Sequence, residues 1–262
     1  VPLLETHGLV KRYSGRTVVD GVSFHVDKAE IVGLLGRNGA GKTTSFRMTI
    51  GMIDADAGRV VFNRRDVSKL PMYRRARLGM GYLSQEPSVF SRLTVRDNLM
   101  AILEVTNLAR DQREQRCDEL LARFGLKHKA HDQARTCSGG ERRKLEIARA
   151  LVTDPALILL DEPFSGVDPL AIEDLQQELL QLKSMGIALL ITDHNVQQTL
   201  KVCDRAYIIS DGKVLREGTP KALINDDLVK RAYIGSMFRG DEFDTPLEHK
   251  RPTRTPTPGG AR

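Results

Sequence analysis

Apolar and polar positions fall into three patterns along the chain. Near the start, Leu3 to Leu9 loosely and Val22, Phe24 and Val26 cleanly alternate with period two, the spacing of half-buried strands. Ile31 to Leu35, Leu157 to Leu160 and Ile187 to Ile191 are instead continuous apolar runs, each followed by polar loop residues and a helical pattern. A strand apolar on both faces is a buried parallel strand, and repeated βα units predict an α/β sheet. From about 93 to 151 the pattern is helical. Thr94 with Asp97, Asp111 with Glu114, and Ser138 with Glu141 have the spacing of a cap and the acid that answers it. Cys117, Leu120, Leu121 and Phe124 form an apolar stripe closed by Gly125. Asp168-Pro169 opens a further helix that Gly186 ends, Asp211-Gly212 predicts a hairpin turn, and Thr219-Pro220 starts a last helical region. The stretch from 239 to 262 is rich in proline and nearly free of aliphatic residues, so it is expected to be disordered.

Composition narrows the classes. With 262 residues, 40% hydrophobic, one ordinary core can be built. No apolar run approaches the ~20 residues of a membrane-spanning helix. Glu5, Lys11, Arg12, Arg16 and Asp20 interrupt any apolar core of a secretory signal, so a cytosolic location is expected. Cys117, Cys137 and Cys203 are odd in number and widely spaced, which points to reduced thiols and against a disulfide framework or zinc site. The net charge of +6 is concentrated: from Arg59 to Arg77, seven cations oppose only Asp66. Such a stretch suits phosphate, anionic lipid headgroups, an acidic partner, or simply a solvated face.

The strongest chemistry lies in Gly36-Arg37-Asn38-Gly39-Ala40-Gly41-Lys42-Thr43, which fits GxxxxGK[ST] after a buried strand and before a helix. Backbone amides of Gly36, Asn38, Gly39, Ala40 and Gly41 can turn onto phosphate oxygens, with Thr43 and Thr44 at the helix start adding its partial positive charge. Lys42 is expected to reach the β and γ phosphates and the Thr43 hydroxyl to ligate Mg²⁺. A P-loop alone leaves kinase, GTPase and ATPase open. The run ending in Asp161-Glu162 puts two carboxylates at the C-terminal end of a parallel strand, where ligands of such sheets bind. Asp161 suits Mg²⁺, and Glu162 suits a general base that polarises water.

Cys137-Ser138-Gly139-Gly140-Glu141 and the helix after it resemble the signature motif, LSGGE, of the ATP-binding cassette (ABC) ATPases. The resemblance spans residues 3 to about 238 and implies an α/β fold: a P-loop NTPase domain over 1–238 with a mixed-sheet core, an antiparallel β subdomain and a helical subdomain over about 93–151. It implies that Ser138, Gly139 and Gly140 face the γ-phosphate on the opposite subunit's P-loop, so that ATP is sandwiched in a homodimer. It further implies adenine stacking for Tyr13, contact of Gln85 with Mg²⁺ or water, a dimer-crossing loop at Ser165-Gly166-Val167-Asp168, and a γ-phosphate switch at His194. Arg37, Cys137 and Ser84 depart from the family's frequent Pro, Leu and Pro. None removes a catalytic group.

Longer blocks, above all Ile191-Thr-Asp-His-Asn195 and Tyr233-Ile-Gly-Ser-Met-Phe238, resemble the ATPase subunits of lipopolysaccharide exporters. The ATPases of branched-chain amino-acid importers share most of these blocks. That resemblance implies a subunit peripheral on the cytoplasmic face of an inner membrane, with two transmembrane partners, periplasmic bridge components beyond them, and no nucleic acid. A soluble ABC protein acting on ribosomes or DNA would more often carry two cassettes or a long coiled-coil insertion. Ser88 to Leu93 forms an apolar and cationic edge suited to a partner helix, with Phe90 read either as its anchor or as core.

Overall fold

In the computed structural model, which describes residues 1–86 and 88–234, the chain opens with a hairpin, β1 (Leu4–Tyr13) and β2 (Arg16–Val26). Its turn residues Ser14 and Gly15 both have positive φ, 47° and 82°, as a two-residue turn matched to strand twist requires. The buried strand β3 (Ile31–Gly36) leads through the glycine loop into α1 (Lys42–Ile50). Strands β4 (Ala57–Phe62) and β5 (Arg65–Asp66) then join the hairpin in an antiparallel sheet of order β2-β1-β4-β5. After α2 (Met72–Arg77) the chain enters a second sheet with β6 (Met80–Leu83).

Helices α3 (Val95–Leu103), α4 (Arg110–Arg123) and α5 (Gly139–Ala150) precede β7 (Leu157–Asp161), and α6 (Pro169–Ser184) links it to β8 (Ala188–Thr192). The chain continues through α7 (Val196–Val202), β9 (Arg205–Ser210), β10 (Lys213–Gly218) and α8 (Pro220–Asn225). The second sheet runs β10-β9-β3-β8-β7-β6, parallel except for the antiparallel β9-β10 hairpin at Asp211-Gly212. This is the mixed sheet, with an antiparallel sheet and helices, that the family resemblance implied.

Two-sided burial explains the continuous apolar runs. On β7, Ile158 and Leu160 join the core shared with α3 to α6, whereas Leu157 and Leu159 join the core shared with α1 and the antiparallel sheet. On β8, Leu189 and Ile191 face the first core, and Ala188 and Leu190 the second. Each large aliphatic side chain so buried contributes about 1.5–3 kcal/mol, which makes the strand ends a rigid mount for a site.

Capping agrees with the sequence at two helices and differs at one. Thr94 Oγ1 accepts from Asp97 N at 3.0 Å, and Ser138 and Glu141 form a reciprocal capping box. The helix expected at Asp111 begins earlier, at Arg110, with Ala109 N donating to Gln112 Oε1 at 2.9 Å. Gln112 supplies the acceptor that the Asp111 and Glu114 spacing led us to expect from a different pair.

The basic stretch divides. Arg59, Arg64, Arg65, Lys69, Arg74 and Arg77 are exposed, and Tyr73 lies between the guanidinium groups of Arg74 and Arg77. Arg75 is 1% exposed. Its guanidinium donates to Leu70 O at 2.8 Å, Met48 O at 2.9 Å, Thr49 O at 2.6 Å and Ser68 O at 3.0 Å. Two of these carbonyls belong to the last turn of α1, so Arg75 satisfies helix-end acceptors where a cation is favoured by the helix dipole. It is internal structure, and only the other six cations form a surface.

All three cysteines are free and buried. Burial raises the thiol pKa of each, Cys117 to about 11. The folded protein is therefore expected to take up almost no iodoacetamide at pH 7.5, and three equivalents once unfolded in denaturant, as read by intact mass. Rapid labelling of the native protein would contradict this packing. Among the described residues no helix is long and apolar enough to cross a membrane. The stretch 239–262 and residues 235–238 of the C-terminal block lie outside the described residues.

Candidate nucleotide and hydrolysis site

The glycine loop bends through backbone that side chains disfavour. Gly36, Gly39 and Gly41 have φ of 153°, 79° and 103°. A Cβ on Gly36 would meet Ile209 O at 2.2 Å, and one on Gly41 would meet Val18 O at 2.7 Å. The loop is held from outside by Gly212 N, which donates to Ala40 O at 2.9 Å. Only glycine permits so close an approach between this loop, the β9 end and β2. The result is a preformed cradle of backbone at the N-terminus of α1.

Lys42 is buried, and its Nζ donates to Gly36 O at 2.7 Å and Arg37 O at 3.0 Å. Burial lowers its pKa, opposed by the negative charges of Glu162, Asp193 and Asp161. Asp161, at the end of β7, is 6% exposed and accepts from Thr192 Oγ1 at 2.8 Å. Burial pushes its carboxyl pKa up, and Lys42 and Arg47 pull it down. Glu162 follows at φ 48°, its N–H donating to Thr192 O at 2.7 Å. A left-handed conformation at a non-glycine residue is strain of the kind kept at functional sites.

Across the sheet, the end of β8 carries His194, whose Nδ1 lies 3.2 Å from Glu162 Oε2. Gln85, after β6, reaches the same wall: its Nε2 donates to Ser165 Oγ at 3.4 Å. The ends of β3, β6, β7 and β8 thus gather Lys42, Gln85, Asp161, Glu162 and His194, while Thr43 and Thr44 stand half-buried at the start of α1. Parallel strands in one sheet end on one side, which is why residues far apart in sequence meet there.

Two further predicted stations lie on other elements. Tyr13 is 47% exposed at the β1-β2 turn, with Lys11 Nζ 5.6 Å from its ring centroid. Ser138, Gly139 and Gly140 form the open N-terminus of α5, and a Cβ on either glycine would meet nothing within 4 Å. They line a crevice of about 770 Å³ with Gln85, Glu162 and Ser165, and none of its described lining residues belongs to the glycine loop.

Three residues were not singled out as site residues from sequence. Asp193 is fully buried between the Glu162 and His194 loops, and its only sequence signal is an acid directly after an apolar strand. Arg75 braces the far end of α1. Asn98, also buried, accepts from Phe90 N at 2.8 Å and donates to Phe90 O at 3.0 Å and Thr94 O at 2.9 Å. Held in this way, Phe90 is 49% exposed with the Arg149 guanidinium 4.6 Å from its ring centroid. Of the two readings of Phe90, the structure favours the surface one.

Comparison with known proteins agrees with this geometry. The ABC transporter family matches residues 19–165. The lipopolysaccharide export system ATP-binding protein of Haemophilus influenzae is 50% identical over 238 residues, covering 90% of this chain and 99% of the relative. Its counterpart in Escherichia coli K12 is 50% identical over 237 residues, covering 90% and 98%. Among solved structures, the ADP conformation of an ATP-binding cassette of an ABC transporter superposes with a TM-score of 0.80 at 30% identity, covering 90% of this chain and 99% of that one. This chain therefore belongs to the ATP-binding proteins of ABC transporters and is an ATP hydrolase.

Proposed function

We propose that this chain is the ATP-hydrolysing subunit of a lipopolysaccharide exporter, peripheral on the cytoplasmic face of an inner membrane and acting as a homodimer with two transmembrane subunits. Periplasmic bridge components would receive the lipid beyond them. The observation that carries this reading is half-identity along nearly the whole length of two relatives named for lipopolysaccharide export. The branched-chain amino-acid importer is not favoured by these relatives.

In this reading the glycine-loop amides cup the phosphates and Lys42 leaves the carbonyls of Gly36 and Arg37 for the β and γ oxygens. Tyr13 stacks on adenine. Glu162 orients and deprotonates the attacking water, and His194 holds the γ-phosphate. The nucleotide site is completed by a second copy, whose Ser138, Gly139 and Gly140 close over the nucleotide. Thr43, Gln85 and Asp161 would hold Mg²⁺. Their donor set fits it: one carboxylate, a hydroxyl and an amide oxygen leave places for phosphate oxygens and waters, and Mg²⁺ typically takes one or two carboxylates with these. A buried carboxylate whose pKa is raised by burial is also the group a divalent cation stabilises. When bound, the ion would neutralise charge on the transferring phosphoryl group.

The decisive experiment is identification of what co-purifies with the tagged chain from detergent-solubilised membranes, then reconstitution in proteoliposomes. ATP-dependent extraction of lipopolysaccharide is the expected result. Stimulation by branched-chain amino acids and their binding protein, with no lipopolysaccharide movement, would overturn the reading. Phe90→Ala is expected to lower recovery of membrane subunits at least tenfold while ATP affinity of the isolated chain stays within about twofold, as for a central aromatic anchor. Unchanged co-purification would remove Phe90 from the docking surface.

A further inference from the structure

We infer that Asp193 is a positioning residue of the hydrolytic site: its carboxylate fastens the loop carrying Glu162 to the loop carrying His194 and fixes the imidazole with its proton on Nδ1. The inference rests on the roles proposed above for Glu162 and His194.

Asp193 is 0% exposed, and both its oxygens are committed across two loops. Oδ2 accepts from Phe164 N at 2.9 Å, two residues beyond Glu162. Oδ1 accepts from Asn195 N at 2.8 Å, one residue beyond His194. Burial, with the nearby charge of Glu162, raises the carboxyl pKa, and these two amides and His194 oppose that. Burying a carboxylate at such cost is unnecessary for packing, since apolar groups fill a core more cheaply. What the carboxylate adds is a fixed tie between two strand ends. Glu162 needs one, because its left-handed backbone is held by just two backbone hydrogen bonds among the described residues, Glu162 N to Thr192 O and Ser165 N to Glu162 O, at 2.7 and 3.2 Å.

The same placement decides the imidazole. His194 Nδ1 lies 3.2 Å from Glu162 Oε2, within hydrogen-bond reach, and 3.6 Å from Asp193 Oδ1, beyond it but near enough for the carboxylate charge to act. An ionised carboxylate only accepts, so Nδ1 must be the donor to Glu162, and the adjacent Asp193 charge favours a proton there. Nε2 is then left as the lone-pair nitrogen in neutral His194, and becomes a second donor when the ring is protonated. With Asp193 in place, Glu162 and His194 are held within hydrogen-bonding reach and in a single protonation pattern before nucleotide arrives.

The test has two independent parts. In the unmutated full chain, ¹⁵N NMR of the histidine rings, with His194 identified by the signal missing from His194→Ala, is expected to show the Nδ1–H tautomer. A predominant Nε2–H tautomer overturns the inference whatever the variants do. In Asp193→Asn, which keeps the side chain's shape but sets an amide NH₂ against a backbone N–H, kcat is expected to fall about 10- to 100-fold with KM for MgATP within about twofold, at unchanged secondary structure. A folded Asp193→Asn with wild-type kcat, or a KM that rises in step with any loss, overturns it. Failure here with Glu162→Gln still inactive sinks only the role of Asp193; an active Glu162→Gln sinks the reading on which it rests.

Discussion

Glu162→Gln is expected to bind ATP with wild-type affinity while turnover falls about 10²- to 10⁴-fold, the contribution of a positioned general base. The substitution is nearly isosteric. The amide oxygen can still accept from His194 Nδ1, now 3.2 Å from Oε2, and the backbone hydrogen bond to Thr192 O is untouched. Lys42 and the glycine cradle, which carry the binding, lie on a different strand end. What is lost is a group able to take a proton from water. Phosphate release under single-turnover conditions measures the loss, and a fluorescent nucleotide measures the retained affinity. If a second copy closes the nucleotide site as proposed, the arrested variant with ATP should also migrate as a dimer in size-exclusion chromatography. Hydrolysis within fivefold of wild type would falsify the assignment of Glu162 as base.

The largest stability effect is expected from Arg75→Ala. Four carbonyl hydrogen bonds are lost together, and the two fully buried acceptors, Met48 O and Thr49 O, lose their charged donor. Burial lowers the Arg75 pKa only to about 10, so the group is charged at neutral pH and its hydrogen bonds are charge-assisted. A loss of at least about 3 kcal/mol follows, which for a chain of this size lowers the melting temperature by roughly 6–12 °C. Arg75→Lys should recover little, because one ammonium cannot reach carbonyls from Ser68, Leu70 and the end of α1 at once. A melting temperature within 2 °C of wild type for Arg75→Ala would show that α1 needs no brace there. Because α1 begins at Lys42, the variant should also bind ATP more weakly than its folded fraction accounts for.

Much of the site was legible beforehand because its chemistry is written in contiguous words. A glycine loop needs its glycines in fixed register, a capping box needs Ser138 and Glu141 three apart, and paired acids at a strand end need Asp161 beside Glu162. Each is a local constraint, and local constraints survive in sequence. Asp193 and Arg75 were not legible because their meaning lies in partners distant along the chain, and Asn98 because nothing local marks a buried asparagine. Asp193 meets Phe164 29 residues away, and Arg75 meets Met48 27 residues away. Nothing about an arginine among six others, or an acid before a histidine, distinguishes a buried brace from a solvated charge. Burial decides that, and burial is a property of the folded chain.

By itself, the sequence determined that buried parallel strands feed helices, that a phosphate cradle opens one of them, and that two acids and a capped helix accompany it. Hydrophobic periodicity and steric limits on the backbone suffice for these, since both act within a few residues. Only the tertiary structure decided that the excess positive charge is six surface cations and one internal brace. It alone brought His194 to Glu162, joined their loops through Asp193, and set the start of the signature helix in one crevice with Gln85 and Glu162. Those outcomes depend on which strands lie side by side, and strand order is fixed by packing across the whole core.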